Sequence, residues 1–205
     1  MSWNTLSYLG DSMLLLPTAV IIALMLPWKN NDRRAVWFWI VVFCLAGALV
    51  SLSKIAFMGF GIGSARFNFT GFSGHSAMSA TLWPVMFWLL SGRLSALLRG
   101  AALAVGYLIP LMVGFSRLEL DVHSTSEVVS GLLLGYTLSS AFLLSQRSSQ
   151  LKGFSAVQLC IAMLVPVLLF SHGRVATTQG FLTHLSTKIT GSEKPFTRSE
   201  LLQQP

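Results

Sequence analysis

Acidic side chains are scarce. Seven aspartates and glutamates stand among 205 residues, against fourteen lysines and arginines. Charged residues of both signs make up 10% of the chain, where an average soluble domain carries about 25%. Seven acids are too few to solubilise a domain of this size. The net charge of +7 raises nucleic acid as a partner, but the sequence lacks a basic face interleaved with aromatics, so no nucleic acid is expected. Cysteine is nearly missing too. Cys44 and Cys160 sit inside apolar runs, where a buried small hydrophobe is the expected role rather than a disulfide or a metal ligand. The first ten residues lack the basic region and cleavage site of a signal peptide, so the first apolar run is expected to stay in the mature protein. No internal repeat and no separate second domain is evident.

What is present is hydrocarbon: 53% of the residues are hydrophobic. A membrane-spanning helix needs about 20 mainly apolar residues. Six segments qualify, near residues 12–28, 35–52, 74–90, 97–115, 128–144 and 156–170. The expected fold class is therefore all-α, a polytopic membrane helical bundle of about six transmembrane helices. Pro17, Pro84 and Pro166 fall inside spans, which is tolerable where neighbouring helices satisfy the freed carbonyls. Residues 1–172 make the membrane domain. Residues 173–205 form a polar C-terminal tail, rich in Gly, Ser, Thr and Pro, expected to be partly disordered or to lie on the surface.

Basic residues set the orientation. Lys29, Arg33 and Arg34, then Arg93 and Arg99, then Arg147 and Lys152 fall in the first, third and fifth loops. The positive-inside tendency puts these loops in the cytoplasm, with both termini and the loops holding residues 54–75 and 116–127 facing outward. Trp28, Trp37 and Trp39 read as interfacial anchors, and Trp83 and Trp88 as packing or lipid-facing residues.

Two polar clusters interrupt the apolar runs. In 116–127, one arginine, one histidine and three carboxylates occupy twelve residues. His123 and Glu127 are spaced i, i+4, which puts them on one face of a helix. A carboxylate behind a histidine fixes its tautomer and stabilises the charge that nucleophilic attack creates. Arg117 offers a fork suited to phosphate oxygens. The alternative is a solvated loop that caps the fifth span. Upstream, Ser73, Gly74 and His75 stand where the third span begins, and a helix start attracts oxyanions. His75 can lend a proton to a leaving oxygen, since its ordinary pKa lies near neutrality. The alternative is a helix cap followed by an interfacial histidine. Lys54 and Arg66 add positive charge nearby, and the topology puts all these groups on one membrane face.

These residues resemble the type 2 phosphatidic acid phosphatase superfamily of membrane enzymes. Its third motif is matched by Ser116, Arg117 and His123, with Glu127 where the family has aspartate. Its second is matched by Ser73, Gly74 and His75, with Phe72 in place of proline. Its first is matched loosely by Lys54 and Arg66, which stand farther apart than is usual and are followed by Phe67 instead of proline. The resemblance implies a phosphatidic-acid-phosphatase-like core and hydrolysis of a phosphomonoester or pyrophosphate on a lipid. The substrate would be of the undecaprenyl pyrophosphate, phosphatidylglycerol phosphate or phosphatidic acid type. His123 would form a phosphohistidine, Glu127 would orient it, and His75 would protonate the leaving group and then activate water. Lys54, Arg66, Ser73, Gly74 and Arg117 would hold the phosphoryl oxygens. No metal and no cofactor is implied. The expected partner is a phosphorylated membrane lipid, and the expected place is a bacterial inner membrane with the site facing the periplasm. Transfer of the phosphoryl group to a lipid A type acceptor, or phospholipid binding without efficient catalysis, are the alternatives. Asp121 and Glu119 compete with Glu127 as the orienting acid.

Overall fold

The computed structural model describes residues 2–92, 94–149, 151–152, 168 and 178–203. These residues form an all-α bundle of eight helices: α1 Trp3–Tyr8, α2 Ser12–Lys29, α3 Arg34–Phe60, α4 Gly74–Leu90, α5 Ala96–Glu119, α6 Thr125–Ser145, α7 Thr178–Thr190 and α8 Arg198–Leu202. The first five expected spans are all helices, and α3 runs two turns further than its apolar run suggested. The expected sixth span, with Cys160, lies outside the described residues except for Leu168.

The spans follow from composition and end signals. Asp11 caps α2 by accepting from the Met13 amide at 2.8 Å. Gly61, at φ 67°, closes α3 in the left-handed region that glycine enters without strain. Four segments among the described residues are long and apolar enough to cross a bilayer: Trp3–Lys29, Arg34–Phe60, Ala96–Glu119 and Thr125–Ser145. Their outer faces expose Val20, Leu24, Trp37, Leu97 and Leu133. Such a surface would aggregate in water and is solvated by lipid chains.

α4 differs from the rest. It has 17 residues, of which 12 are buried, and it packs against α2, α3, α5 and α6 as the central rod. Its neighbours approach through small residues. A Cβ on Gly135 of α6 would meet the Ala80 Cβ at 2.6 Å, and one on Gly131 would meet the Ser73 carbonyl at 2.8 Å. Without side chains there, the α6 backbone lies directly on α4. At the other end of the bundle, Trp39 and Trp88 pack edge-on against Phe142.

Two sequence expectations change here. Trp39 is a core residue whose indole donates to the Ala19 carbonyl at 3.0 Å, whereas Trp28 and Trp37 are exposed as anchors would be. Cys44 is exposed on α3 instead of buried. Apolar runs do not reveal which face of a membrane helix turns inward, because both faces are apolar.

Helix direction sorts the loops. α2, α4 and α6 begin at one end, and α3 and α5 finish there. At the opposite end, Asn30 donates to Gln146 at 2.7 Å and the Lys152 amide donates to the Lys29 carbonyl at 2.7 Å. The basic first and fifth loops therefore meet on the face away from the polar clusters. The tail, expected to be partly disordered, is helical over much of 178–203. α7 runs along α3, and Leu182 and Leu201 pack with Phe57 and Met58 in a second small core.

Candidate active site

The 116–127 segment is a tight helix–turn–helix. Ser116 and Arg117 finish α5, residues 120–124 turn, and Thr125 opens α6. Asp121 takes φ 52° to make the turn, and as a residue with a short polar side chain it tolerates that conformation. Ser124 and Glu127 form a capping box: the Ser124 hydroxyl accepts from the Glu127 amide, and the Glu127 carboxylate accepts from the Ser124 amide at 3.2 Å. The cap is real, yet it does not exhaust the carboxylate.

Glu127 Oε2 lies 2.7 Å from His123 Nδ1. The histidine side chain is 13% exposed and the glutamate has no exposed surface. With Nδ1 committed, Nε2 points away from the acid and bonds to no described residue. Burial pushes the His123 pKa below the ordinary 6.5; the Glu127 hydrogen bond opposes this, while the charges of Lys54 and Arg117 add to it. The shift favours the neutral imidazole, the state a nucleophile needs. Glu119 and Asp121 take no part in holding the ring.

A carboxylate with no exposed surface is costly unless its lone pairs are filled. Thr70 donates its amide at 2.8 Å and its hydroxyl to Oε1. Arg198, from α8, donates Nη2 to both oxygens at 2.8 Å. Thr70 comes from the loop between α3 and α4, which is folded back by a bridge between Ser64 and Phe69 and fastened to α6 where Ser126 donates to the Phe67 carbonyl at 2.7 Å.

The second cluster arrives on α4. The amide of Ser73 donates to the Glu127 carbonyl at 3.0 Å, which locks the start of α4 to the start of α6. The Ser73 hydroxyl is fully buried and shares a 2.9 Å hydrogen bond with Ser76. Ser73 thus joins two helices, and it makes no side-chain cap on α4. Gly74 opens α4, and a helix start presents its first amides toward anions in general. His75 is 26% exposed; its Nε2 stands 3.8 Å from Asp11 Oδ2, and Asp11 is 3% exposed. His75 lies within electrostatic reach of Arg117, His123 and Lys54, so the structure brings both histidines and two of the expected basic residues to one site.

The basic residues are held unevenly. Arg117 donates Nη1 to Ser7 at 2.6 Å, and its Nε is buried without a hydrogen-bond partner among the described residues. Lys54 donates to Gln179 of α7 at 2.9 Å. Arg66 is exposed and lies against the Phe67 ring. With His123 and Arg198 it lines an open, polar pocket of about 700 Å³ that also includes Asn68, Asp121 and Ser126. Lys54, His75 and Arg117 are not among the residues that line it.

Sequence reasoning missed Ser7, Asp11, Thr70, Gln179 and Arg198. Asp11 did carry a signal, since it stands directly before the first apolar run, but that signal indicates capping only. Thr197 and Glu200 form a capping box that marks α8. Nothing local marks the pairing of Arg198 with a glutamate 71 residues away.

Two histidines, a buried acid and clustered cations at one end of an apolar bundle define a membrane protein with the fold of a phosphatase. The chain belongs to the PAP2 superfamily, whose family model matches residues 54–151. It is 42% identical over 207 residues to an uncharacterized 22.5 kDa protein in the cps region of Klebsiella pneumoniae, covering 100% of this chain and 99% of that one. Its fold matches the crystal structure of the first transmembrane PAP2 type phosphatidylglycerolphosphate phosphatase from Bacillus subtilis. That match has a TM-score of 0.56 and 23% identity, and it covers 71% of this chain and 75% of the other.

Proposed function

We propose that the protein hydrolyses a phosphomonoester or pyrophosphate of a membrane lipid through a phosphohistidine on His123. The observation that carries this reading is the 2.7 Å contact between His123 Nδ1 and a fully buried Glu127. It leaves Nε2 of a neutral ring as the nucleophile.

The reaction would run through two displacements at phosphorus. Nε2 of His123 attacks phosphorus; the P–N bond forms as the bond to the leaving oxygen breaks. The proton on Nδ1 stays hydrogen-bonded to Glu127, which stabilises the positive ring. His75 gives a proton to the leaving oxygen, then takes one from water as that water attacks the phosphohistidine and breaks the P–N bond. Phosphoryl transfer depends chiefly on positioning and charge stabilisation. Arg117 would satisfy its buried Nε with a phosphoryl oxygen, and the amides of the α4 first turn would hold another. Lys54 would release Gln179 to join them, and Arg66 would meet the headgroup at the pocket mouth. Ser73 would act by holding α4 against α6.

The site lies at the bundle end, beside apolar outer faces. A lipid can keep its chains in the bilayer while its phosphate reaches His123. Undecaprenyl pyrophosphate, phosphatidylglycerol phosphate and phosphatidic acid types all fit that description. A panel of these lipids in detergent, assayed for phosphate release, is expected to yield one preferred substrate and no release by His123→Ala. Equal release by both proteins would remove His123 from the reaction.

Charge in the first and fifth loops supports a cytoplasmic position for the opposite face, which turns the site toward the periplasm of a bacterial inner membrane. Thr125 is exposed at the start of α6. In a Cys44→Ala, Cys160→Ala background, Thr125→Cys is expected to react with an impermeant thiol reagent from outside intact cells. Reaction only after rupture would reverse the orientation.

A further inference from the structure

The tail reaches the site at two points. Gln179 of α7 accepts from Lys54, and Arg198 of α8 grips Glu127. The second contact is the more consequential. Arg198 also donates Nη1 to Asn68 at 3.2 Å and Nη2 to Thr70 at 3.3 Å, so one guanidinium ties α8, the 61–73 loop and α6 together at the carboxylate. α8 is itself anchored: the Phe196 amide donates to the Met58 carbonyl at 2.8 Å, Phe196 packs edge-on against Phe57, and Leu201 is buried. The grip therefore belongs to a packed element.

We propose that Arg198 is a positioning residue, which fixes the Glu127 carboxylate so that Oε2 faces His123 Nδ1, and that the C-terminal segment thereby completes the catalytic site. Glu127 is one methylene longer than the aspartate this position has in the superfamily motif, and a longer acid has one more torsion to fix. Its two oxygens must divide between His123 and Ser124 on one side and Thr70 on the other. A single Arg198 nitrogen bonded to both oxygens holds that division. With the guanidinium removed, the carboxylate can rotate toward Thr70 and release the ring. The inference rests on the reading of His123 as nucleophile. Arg198 acts on His123 through Glu127; Lys54 and Arg117 act on it directly by charge, His75 lies within electrostatic reach of it, and Arg66 and Asp121 line the same pocket.

The test is a pair of double-mutant cycles on the full-length protein in detergent, with helix content checked by circular dichroism. The first cycle reads phosphate release from phosphatidic acid micelles. Arg198→Ala is expected to lower kcat about tenfold or more with little change in KM, and Arg198→Lys to restore much of it. In a Glu127→Gln background, Arg198→Ala is expected to change kcat less than about twofold. The second cycle needs no turnover. Carbethoxylation of His123 is followed against pH by peptide mass spectrometry. Arg198→Ala is expected to move its midpoint, Arg198→Lys to leave it near the wild-type value, and Arg198→Ala to add nothing to Glu127→Gln. Equal losses in both backgrounds, a change in KM alone, or an unmoved midpoint would overturn the proposal. Equal release by wild type and His123→Ala would count instead against the phosphatase mechanism, and the carbethoxylation cycle would still decide the role of Arg198. Should Arg198→Ala lose its helical structure, the Arg198→Lys midpoint decides: a wild-type value supports the proposal and a shifted one opposes it.

Discussion

The two histidines sit in unlike settings. His123 is 13% exposed and bonded at 2.7 Å to an acid that is itself gripped by Thr70, Ser124 and Arg198. His75 is 26% exposed, and its acid stands 3.8 Å away, outside hydrogen-bonding range. The first ring is fixed and the second is guided. That difference matches a division of labour. A nucleophile must hold one tautomer and one direction, whereas a proton carrier must serve the leaving oxygen first and water afterwards, from slightly different positions.

Exchanging the acids for amides should expose the contrast. Glu127→Gln removes the charge that orients His123 and stabilises its charged form, and kcat should fall about a thousandfold. Asp11→Asn removes a charge that stands 3.8 Å from His75 Nε2 and also acts on Arg117, and kcat should fall about tenfold. Steady-state kinetics on both variants checks the order. Equal losses would mean that the two pairs do the same work, and a larger loss in Asp11→Asn would exchange their roles.

A smaller effect should appear in pH dependence. Burial lowers the His123 pKa from 6.5, and the positive charges of Lys54 and Arg117 lower it further, while Glu127 raises it. A base with a lowered pKa stays neutral to lower pH. The acid limb of kcat/KM should therefore lie below pH 6.5. Lys54→Met removes a positive charge that disfavours the imidazolium, so it should move that limb upward, by about one unit or less. Glu127→Gln should move it the other way. A limb that ignores Lys54 would detach the lysine from the nucleophile.

Much of this arrangement was legible in the chain itself. Residues 74–90 are helical as their apolar run indicated. His123 and Glu127 do pair, but His123 precedes the N-cap Ser124, so the contact is made across the capping turn instead of along one helix face; both signals are local all the same. The site also needed both polar clusters at one end of the bundle, and span order supplied that. What could not be read is long-range. Composition does not distinguish α4, the buried rod, from the lipid-facing helices around it, because bilayer and protein interior select the same side chains. The same ambiguity misplaced Trp39 and Cys44. Arg198 read as one more charge in a polar tail, because its value depends on Phe196 and Leu201 docking against α3, and no sequence periodicity spans that distance.

The most direct test of the central claim is to catch the covalent intermediate. His75→Ala should slow hydrolysis of the phosphohistidine, because no base remains to activate water; it also slows formation, because no acid serves the leaving oxygen, so the quench follows a long incubation. The purified variant would be mixed with phosphatidic acid in detergent, quenched in alkali and digested for mass spectrometry. The account predicts an acid-labile, alkali-stable phosphoryl group on the peptide bearing His123, and its absence in the His75→Ala, His123→Ala double variant. Phosphate release without such a group, or a phosphoryl group on another residue, would contradict it.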